Sequence, residues 1–174
     1  MRKHDRQRLA EQDLRRNILQ NKLAMMADAG SHRDVIINLS KHDSQGIINV
    51  NDRIARRIKS HQLEGVRFMW NQVVTNEAKQ GCLLAHTMGL GKTMQVITLL
   101  VAIAESSAST DESVYSQIPE HLRASRTLIL CPPGLRDNWI DELLTWAPPK
   151  VLGDLRKVDQ RASFTDRIRT ISDW

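Results

Sequence analysis

The spacing of apolar residues along the chain predicts helices of different character. In residues 1–29 apolar side chains recur every three to five positions among arginines and lysines, which indicates a polar surface helix. Residues 61–74 carry an apolar stripe at helical spacing, and Asn51 and Asp52 offer a cap for a short helix before it. Residues 93–104 are apolar almost all round, so the helix they predict should be buried.

Other apolar runs lack the helical period and predict β-structure. Residues 35–37 and 47–48 are β-branched and flank a run of turn formers, which indicates a hairpin. Residues 81–85 and 127–131 are short apolar runs suited to buried strands of a parallel sheet. A further helix follows the second run, and its apolar face is marked by Leu135, Trp139, Leu143 and Trp146.

The order of these elements predicts an α/β fold with parallel strands and flanking helices. Residues 1–52 form an N-terminal extension in this interpretation, with a helix and the possible hairpin, and residues 53–174 form the α/β unit. Residues 105–126 are rich in serine and acidic residues, which predicts a long polar surface loop.

Composition narrows the class of protein. The chain has 174 residues, of which 41% are hydrophobic, so a packed core is feasible. Its two cysteines, Cys82 and Cys131, cannot form a disulfide framework, and no Cys/His spacing matches a zinc site. The N-terminus lacks the apolar core of a signal peptide, and no apolar stretch is long enough for a membrane helix. We therefore expect a reduced, intracellular protein without a membrane partner; the net charge of +5 permits nucleic-acid binding.

The segment between the first predicted strand and the buried helix ends in Gly91-Lys92-Thr93, which matches the end of the phosphate-binding loop pattern. Glycines at 89 and 91 allow positive φ angles and a close approach of the backbone to phosphate oxygens. The amide groups of the turn and the helix N-terminus favour an anion there. Lys92 would reach the β- and γ-phosphates, and the Thr93 hydroxyl would bind Mg²⁺. The loop comprises His86, Thr87, Met88, Gly89, Leu90, Gly91, Lys92 and Thr93.

One position departs from the general phosphate-loop pattern. The first glycine of G-x-x-x-x-G-K-[ST] would fall at position 86, where this chain has histidine. The strand before the loop and the helix after it support the assignment nevertheless. No partner for acid–base chemistry is visible beside His86, so a positional or locally hydrogen-bonded role is the favoured interpretation.

Three ordered segments resemble the motifs of the SWI/SNF-type ATPases, a branch of helicase superfamily two. Residues 58–70 are similar to the entry motif of that family, and residues 127–146 to its motif Ia with the following helix. Residues 81–100 resemble motif I, in which histidine or an acidic residue commonly takes the position of His86. The sequence Ala-His-x-Met-Gly-Leu-Gly-Lys-Thr resembles the ATRX-like branch in particular.

The resemblance implies a RecA-like P-loop fold, ATP and Mg²⁺ as cofactors, and double-stranded DNA or chromatin as partner, in the nucleus. Gln62 would read the adenine edge, and Lys92 would act on the phosphates as the catalytic residue. The turn at Pro133 and Gly134 would lie near the DNA backbone. Arginines 53, 56 and 57 with Lys59 could steer DNA, although a solvated helix face explains them at least as well.

The resemblance also implies parts that this sequence does not contain. No Asp-Glu-x-His segment follows Trp146, and the second helicase lobe with its arginine finger is missing. We therefore expect the front half of a first RecA-like lobe, which binds nucleotide weakly and hydrolyses little. With few strands to pair, residues 81–85 and 127–131 should be partly exposed, and the isolated chain marginally stable or prone to aggregate.

Three functions are compatible with these sequence features. The favoured one is the ATP-binding portion of an ATP-dependent DNA translocase or chromatin remodeller. The alternative is a nucleotide- or DNA-binding module that does not hydrolyse ATP, so the assignment as an enzyme stays open. A small P-loop kinase is the weakest, because residues 105–126 are too polar to form its lid and Gln62 has no role in it.

Overall fold

Helices carry most of the regular structure in the computed structural model, which describes residues 35–39, 42–124, 126–158 and 161–173. The predicted helix at residues 1–29 lies outside these ranges. A π-helical turn, Asn71–Thr75, continues the second helix, and a 3-10 turn, Pro133–Leu135, leads into the sixth. The helices are α1 Asp52–Ala55, α2 Ser60–Trp70, α3 Lys92–Ser107, α4 Glu112–Tyr115, α5 Glu120–Arg123, α6 Arg136–Trp146 and α7 Phe164–Ser172.

Helix α3 is the centre of the packing, as its almost uniformly apolar sequence predicts. It packs against α2, α4, α5 and α6, and Ile97 and Val101 are almost completely buried. The buried hydroxyl of Thr98 donates to the carbonyl of Met94 at 2.8 Å, so it adds no unpaired polar group to the core. The predicted helix is confirmed, and the structure extends it to Lys92–Ser107.

The two apolar runs near residue 40 pair with each other in antiparallel fashion. Ile36 and Asn49 form a single β-bridge, and the Ile37 amide donates to the Ile48 carbonyl at 2.8 Å. Side chains of Ile37, Ile48 and Val50 enter the same core as α3. The described part of the predicted extension therefore packs directly onto the helices that follow it.

The two predicted parallel strands are not formed in the described part of the chain. Residues 81–85 and 127–131 have no regular secondary structure, and Leu83 and Leu130 are 82% and 86% exposed. A strand exists only through hydrogen bonds to a neighbouring strand, and none of the described segments pairs with either run. The parallel-strand detail of the fold prediction is thus unconfirmed. The expected exposure of these leucines is observed.

The segment 105–126 differs from the predicted surface loop. It contains the last turn of α3 and the short helices α4 and α5, and Ile118 is completely buried. Ile118 belongs to the core, and Val114 and Leu122, at helical spacing from it, are partly buried against that core, although polar residues surround them in the sequence. The Asp111 carboxylate caps α4 by accepting from the Ser113 amide at 2.9 Å.

The C-terminal part holds one predicted helix and one that the sequence pattern did not indicate. Helix α6 buries Leu143 and turns Trp139 and Trp146 toward the core, as its apolar face predicts. Helix α7 is capped by Ser163, and its apolar residues, including Phe164 and Ile168, are exposed. Among the described helices none is long and apolar enough to cross a membrane.

Candidate nucleotide-binding site

The glycine-containing loop joins the irregular segment 81–85 to the N-terminus of α3. Gly89 and Gly91 have φ angles of +82° and +75°, in the left-handed region that disfavours side chains. A Cβ on Gly91 would also collide with Nε2 of Gln62, whereas one on Gly89 would meet open space. The positive φ angle favours glycine at both positions, and a side chain at position 91 would in addition force the Gln62 side chain to shift.

Lys92 lies at the first position of α3 and folds its ammonium group back into the loop. Its Nζ donates to the carbonyl oxygens of His86 and Thr87, each at 2.9 Å. The positive end of the helix dipole and the ammonium charge are thus concentrated at one point, with two neutral carbonyls as the present partners. A phosphate would bond the ammonium more strongly than these carbonyls do, because hydrogen bonds between ionised groups are the stronger ones.

Gln62 reaches the same loop from α2. Its Nε2 donates to the Leu90 carbonyl at 3.3 Å, and its Oε1 accepts from the Lys59 amide at 3.0 Å. The structure therefore brings together a glutamine and a loop that are separated by more than twenty residues in the sequence. An amide oxygen can accept twice and an amide nitrogen can donate twice, so both atoms can still bond a further group.

The remaining predicted residues follow the course of the loop. Thr87 and Met88 are exposed, the Leu90 side chain is 37% exposed, and Thr93 is partly buried in the first turn of α3. In the described ranges no group of three or more histidine, cysteine or acidic side chains could hold a metal ion. A cation at Thr93 would therefore depend on ligands from a bound nucleotide or water.

Gln95 is a site residue that the sequence analysis did not single out. Its side chain is completely buried in α3, and its Nε2 donates to the Leu90 carbonyl at 3.1 Å. The Leu90 carbonyl thus accepts from both Gln62 and Gln95. The signal was available in the sequence, because Gln95 and Thr98 interrupt an otherwise apolar helix with polar side chains.

The predicted basic run is partly engaged in structural contacts. Arg53 donates from Nε to the Thr145 carbonyl at 3.1 Å, and the Arg57 guanidinium lies 5.9 Å from the centre of the Trp146 ring. These contacts connect the segment around α1 to the end of α6. Arg56 and Lys59 are exposed, and the turn Pro133–Leu135 is exposed as well.

Comparison with known proteins gives a consistent result. Residues 61–165 match the SNF2-related domain. "Helicase ARIP4" of Xenopus tropicalis is 30% identical over 139 residues, covering 70% of this chain and 9% of that protein. "Transcriptional regulator ATRX homolog" of Drosophila melanogaster is 27% identical over 177 residues, covering 94% of this chain and 13% of that protein. "Protein CHROMATIN REMODELING 20" of Arabidopsis thaliana is 30% identical over 128 residues, covering 70% and 8%.

The chain spans no more than about a seventh of the length of these curated relatives. No solved structure matches it significantly. The match to the SNF2-related domain covers more than half of the chain and includes Gln62, the loop and the segment after residue 126. The resemblance read from the three motifs is therefore confirmed, and the chain belongs to the SNF2-related domain family of SWI/SNF-type helicases.

Proposed function

We propose that this chain binds MgATP at residues 86–93 as the nucleotide-binding part of an ATP-dependent DNA translocase. The observation that carries the proposal is the position of Lys92, whose ammonium group is held between two loop carbonyls at the N-terminus of a buried helix. Positive charge, helix dipole and two left-handed glycines converge there, and a triphosphate is the ligand whose chemistry they fit.

The residues take distinct roles in this proposal. Lys92 exchanges its two carbonyl partners for β- and γ-phosphate oxygens, and Thr93 offers its hydroxyl to Mg²⁺. The backbone of residues 87–91 follows the phosphates, since Gly89 leaves open space on that side. Gln62 reads the adenine edge with the second donor and acceptor positions of its amide. MgATP supplies the phosphoanhydride bond and the charge that these groups recognise.

The same proposal assigns strands to the two exposed runs. Residues 81–85 and 127–131 become neighbouring parallel strands of a RecA-like sheet once further strands cover them. Support comes from Leu83, Leu128 and Leu130, whose side chains are 82%, 64% and 86% exposed in this structure. Apolar side chains of this size favour burial by roughly 1.5–3 kcal/mol each, which provides the driving force for such pairing.

We infer that the chain alone hydrolyses little ATP, because its adjacent acidic pairs serve other purposes. The Asp111 carboxylate caps α4, and the Glu142 carboxylate accepts from the Trp146 indole at 2.6 Å. Asp111–Glu112 lies at the start of α4 and Asp141–Glu142 lies within α6, so neither pair follows a strand run, as an acidic motif that positions an attacking water would. This observation also favours the second candidate function, a module that binds nucleotide or DNA without hydrolysis.

Binding of double-stranded DNA and action on chromatin in the nucleus are further parts of the proposal. They are supported by the names of the relatives, which include a helicase, a transcriptional regulator and a chromatin remodelling protein. Contacts from the exposed turn Pro133–Leu135 to backbone phosphates would be independent of sequence, as a translocating motor requires.

The decisive experiment is a titration of the chain with a fluorescent ATP analogue and Mg²⁺, repeated on Lys92→Ala. Loss of the ammonium group should cost about 1.5–3 kcal/mol of binding free energy, the scale of a charged hydrogen bond, and so weaken binding at least tenfold. Lys79→Ala is the matched control, since it removes the same charge from an exposed position before residue 81.

Each outcome is informative. Binding by the wild type and by Lys79→Ala, with a large loss in Lys92→Ala, supports the assignment of the loop. Equal binding by all three proteins contradicts it, because the signal then comes from another surface. Absence of binding in a wild-type sample with native circular dichroism contradicts nucleotide binding by this chain altogether.

A further inference from the structure

Two buried polar atoms beside the phosphate-binding loop have no hydrogen-bond partner in the described part of the chain. They are Nδ1 of the His86 ring and Oε1 of the Gln95 amide. A buried polar group without a partner costs free energy comparable to a lost hydrogen bond, so most native groups of this kind are paired. Two such atoms at one site therefore call for a physical explanation.

The orientation of the Gln95 amide is fixed by its other end. Its Nε2 donates to the Leu90 carbonyl at 3.1 Å. Rotating the amide by 180° would place Oε1 against that carbonyl oxygen, and two acceptors would then face each other. The bond to the Leu90 carbonyl therefore favours the orientation in which Oε1 faces away from that carbonyl.

Gly65 of α2 shows that the two unpaired groups meet at the same place. A Cβ on Gly65 would overlap with Oε1 of Gln95 and would lie 3.2 Å from Cε1 of His86. The Gln95 amide oxygen and Cε1 of the His86 ring, the carbon bonded to Nδ1 and Nε2, therefore both lie against Gly65. The hollow between α2 and the loop, about 400 Å³ in volume, is lined by His61, Glu64, Gly65, Phe68, His86 and Leu90.

The two atoms are chemically complementary. An amide oxygen accepts only, and a neutral imidazole protonated at Nδ1 donates from that atom. The backbone of His86 is meanwhile held by Lys92, whose ammonium donates to the His86 carbonyl at 2.9 Å. The backbone carbonyl of His86 thus has a hydrogen-bond partner, whereas Nδ1 of its side chain has none among the described residues.

We propose that His86 and Gln95 are a positioning pair that replaces the Lys92 anchor when nucleotide binds. With nucleotide bound, the Lys92 ammonium would leave the His86 carbonyl for phosphate oxygens, and the Nδ1–H group of His86 would donate to Oε1 of Gln95. This bond holds the start of the loop against α2 and α3 while Lys92 serves the phosphates. Neither side chain touches the ligand. The inference rests on the proposed nucleotide binding of the loop.

The test compares His86→Asn with His86→Leu in binding of the fluorescent ATP analogue with Mg²⁺. The Asn Nδ2 is attached to Cγ as Nδ1 is in histidine, so His86→Asn retains a donor at that position and His86→Leu does not. We expect His86→Asn to bind about fivefold more tightly than His86→Leu, the scale of one neutral hydrogen bond, whatever both variants lose relative to wild type. His121→Leu, on the exposed surface of α5, is the control for loss of a histidine.

Repeating the comparison in the Gln95→Met variant distinguishes the proposed hydrogen bond from other effects of substituting His86. In Gln95→Met the acceptor oxygen is absent, so the difference between His86→Asn and His86→Leu should vanish. Nitrogen chemical shifts of the His86 ring provide an independent readout. Addition of MgATP should move the Nδ1 resonance to that of a hydrogen-bonded N–H group in wild type and not in Gln95→Met.

Failure of this inference can be distinguished from failure of the proposed function. A wild-type chain that does not bind nucleotide overturns both. A wild-type chain that binds, together with equal affinities of His86→Asn and His86→Leu, overturns the positioning pair alone. So does a difference between these two variants that persists unchanged in Gln95→Met, since the donor would then have another partner.

Discussion

Two buried amide clusters in this molecule differ in how completely their hydrogen bonds are made. In the first, Asn38 donates to the Gly46 carbonyl at 2.8 Å and to Oε1 of Gln117 at 2.7 Å, and it accepts from the Ile48 amide at 2.8 Å. Gln117 in turn donates to the carbonyls of Gly46 and Ser113. In the second, Gln95 donates to Leu90, but its Oε1 and the nearby His86 Nδ1 remain unpaired.

The difference suits two roles: the Asn38 cluster acts as a scaffold that holds the fold, and the Gln95 cluster belongs to the proposed binding site. The Asn38 cluster joins the paired segments 35–37 and 48–50 to the region of α4, and all its bonds are present without a ligand. Such a fully satisfied network holds one arrangement. The Gln95 cluster has bonds left to make beside a loop that we propose to bind nucleotide. The unpaired Oε1 of Gln95 and Nδ1 of His86 can still form hydrogen bonds if the loop changes its conformation.

The largest effect on stability is expected from Asn38→Leu. The leucine fills a similar volume but leaves the Ile48 amide and Oε1 of Gln117 without this partner, at about 1–3 kcal/mol for each buried group. Asn49→Leu, whose side chain is exposed, should change the free energy of unfolding by about 0.5 kcal/mol or less. Urea denaturation measures both, and similar midpoints for the two variants would refute the scaffold role.

Gln95→Met is the matched substitution in the second cluster, and we expect it to change the free energy of unfolding by less than about 1 kcal/mol. The bond to the Leu90 carbonyl is lost, but that carbonyl keeps Nε2 of Gln62, and the unpaired Oε1 disappears. Nucleotide affinity should fall although stability does not. A loss of stability as large as that of Asn38→Leu would mean that both clusters are scaffold.

The smallest effect is expected at Glu105, near the C-terminal end of α3. Burial raises the pKa of this carboxyl above its ordinary value of 4.5, the nearby Asp52 charge raises it further, and the hydrogen bond from Asn51 lowers it. The folded state therefore holds the proton more tightly than the unfolded state, so stability falls as pH rises from 4.5 through the raised pKa.

Glu105→Gln keeps an acceptor oxygen for Asn51 and removes the charge. The variant should be slightly more stable than wild type at pH 7, and the difference should shrink below pH 4.5. Thermal melting at pH 7 and pH 4 measures this, with the exposed Glu120→Gln as control. A stability difference that does not depend on pH would show that ionisation of Glu105 is not its cause.

Patterns that depend on neighbouring residues alone predicted much of this fold. The apolar periodicity of residues 93–104 predicted α3, and the stripe of residues 61–74 predicted the helix α2. Asn51 caps α1 as expected by accepting from the Arg53 amide. Helical hydrogen bonds connect residues four apart, so the local sequence contains the information that such elements need.

Elements that depend on contacts with distant residues could not be predicted from the local sequence. Residues 105–126 were predicted to be a polar loop because polar residues predominate there, yet Ile118 is completely buried in a core shared with residues far away in the sequence. The runs 81–85 and 127–131 have the composition of buried strands, yet in the described structure no neighbour pairs with them. Burial and strand pairing are properties of the assembled molecule rather than of a segment.

The sequence by itself determined the family and the chemistry of the loop. Gly89, Gly91 and Lys92 are recognisable because backbone conformation and charge are properties of those residue types. Only the tertiary structure decided that Gln62 and Gln95 share the Leu90 carbonyl, and that Gly65 leaves room for Oε1 of Gln95 beside His86. The physical reason is that a hydrogen bond requires two atoms about 3 Å apart, and the packing of α2 against α3 alone sets that distance.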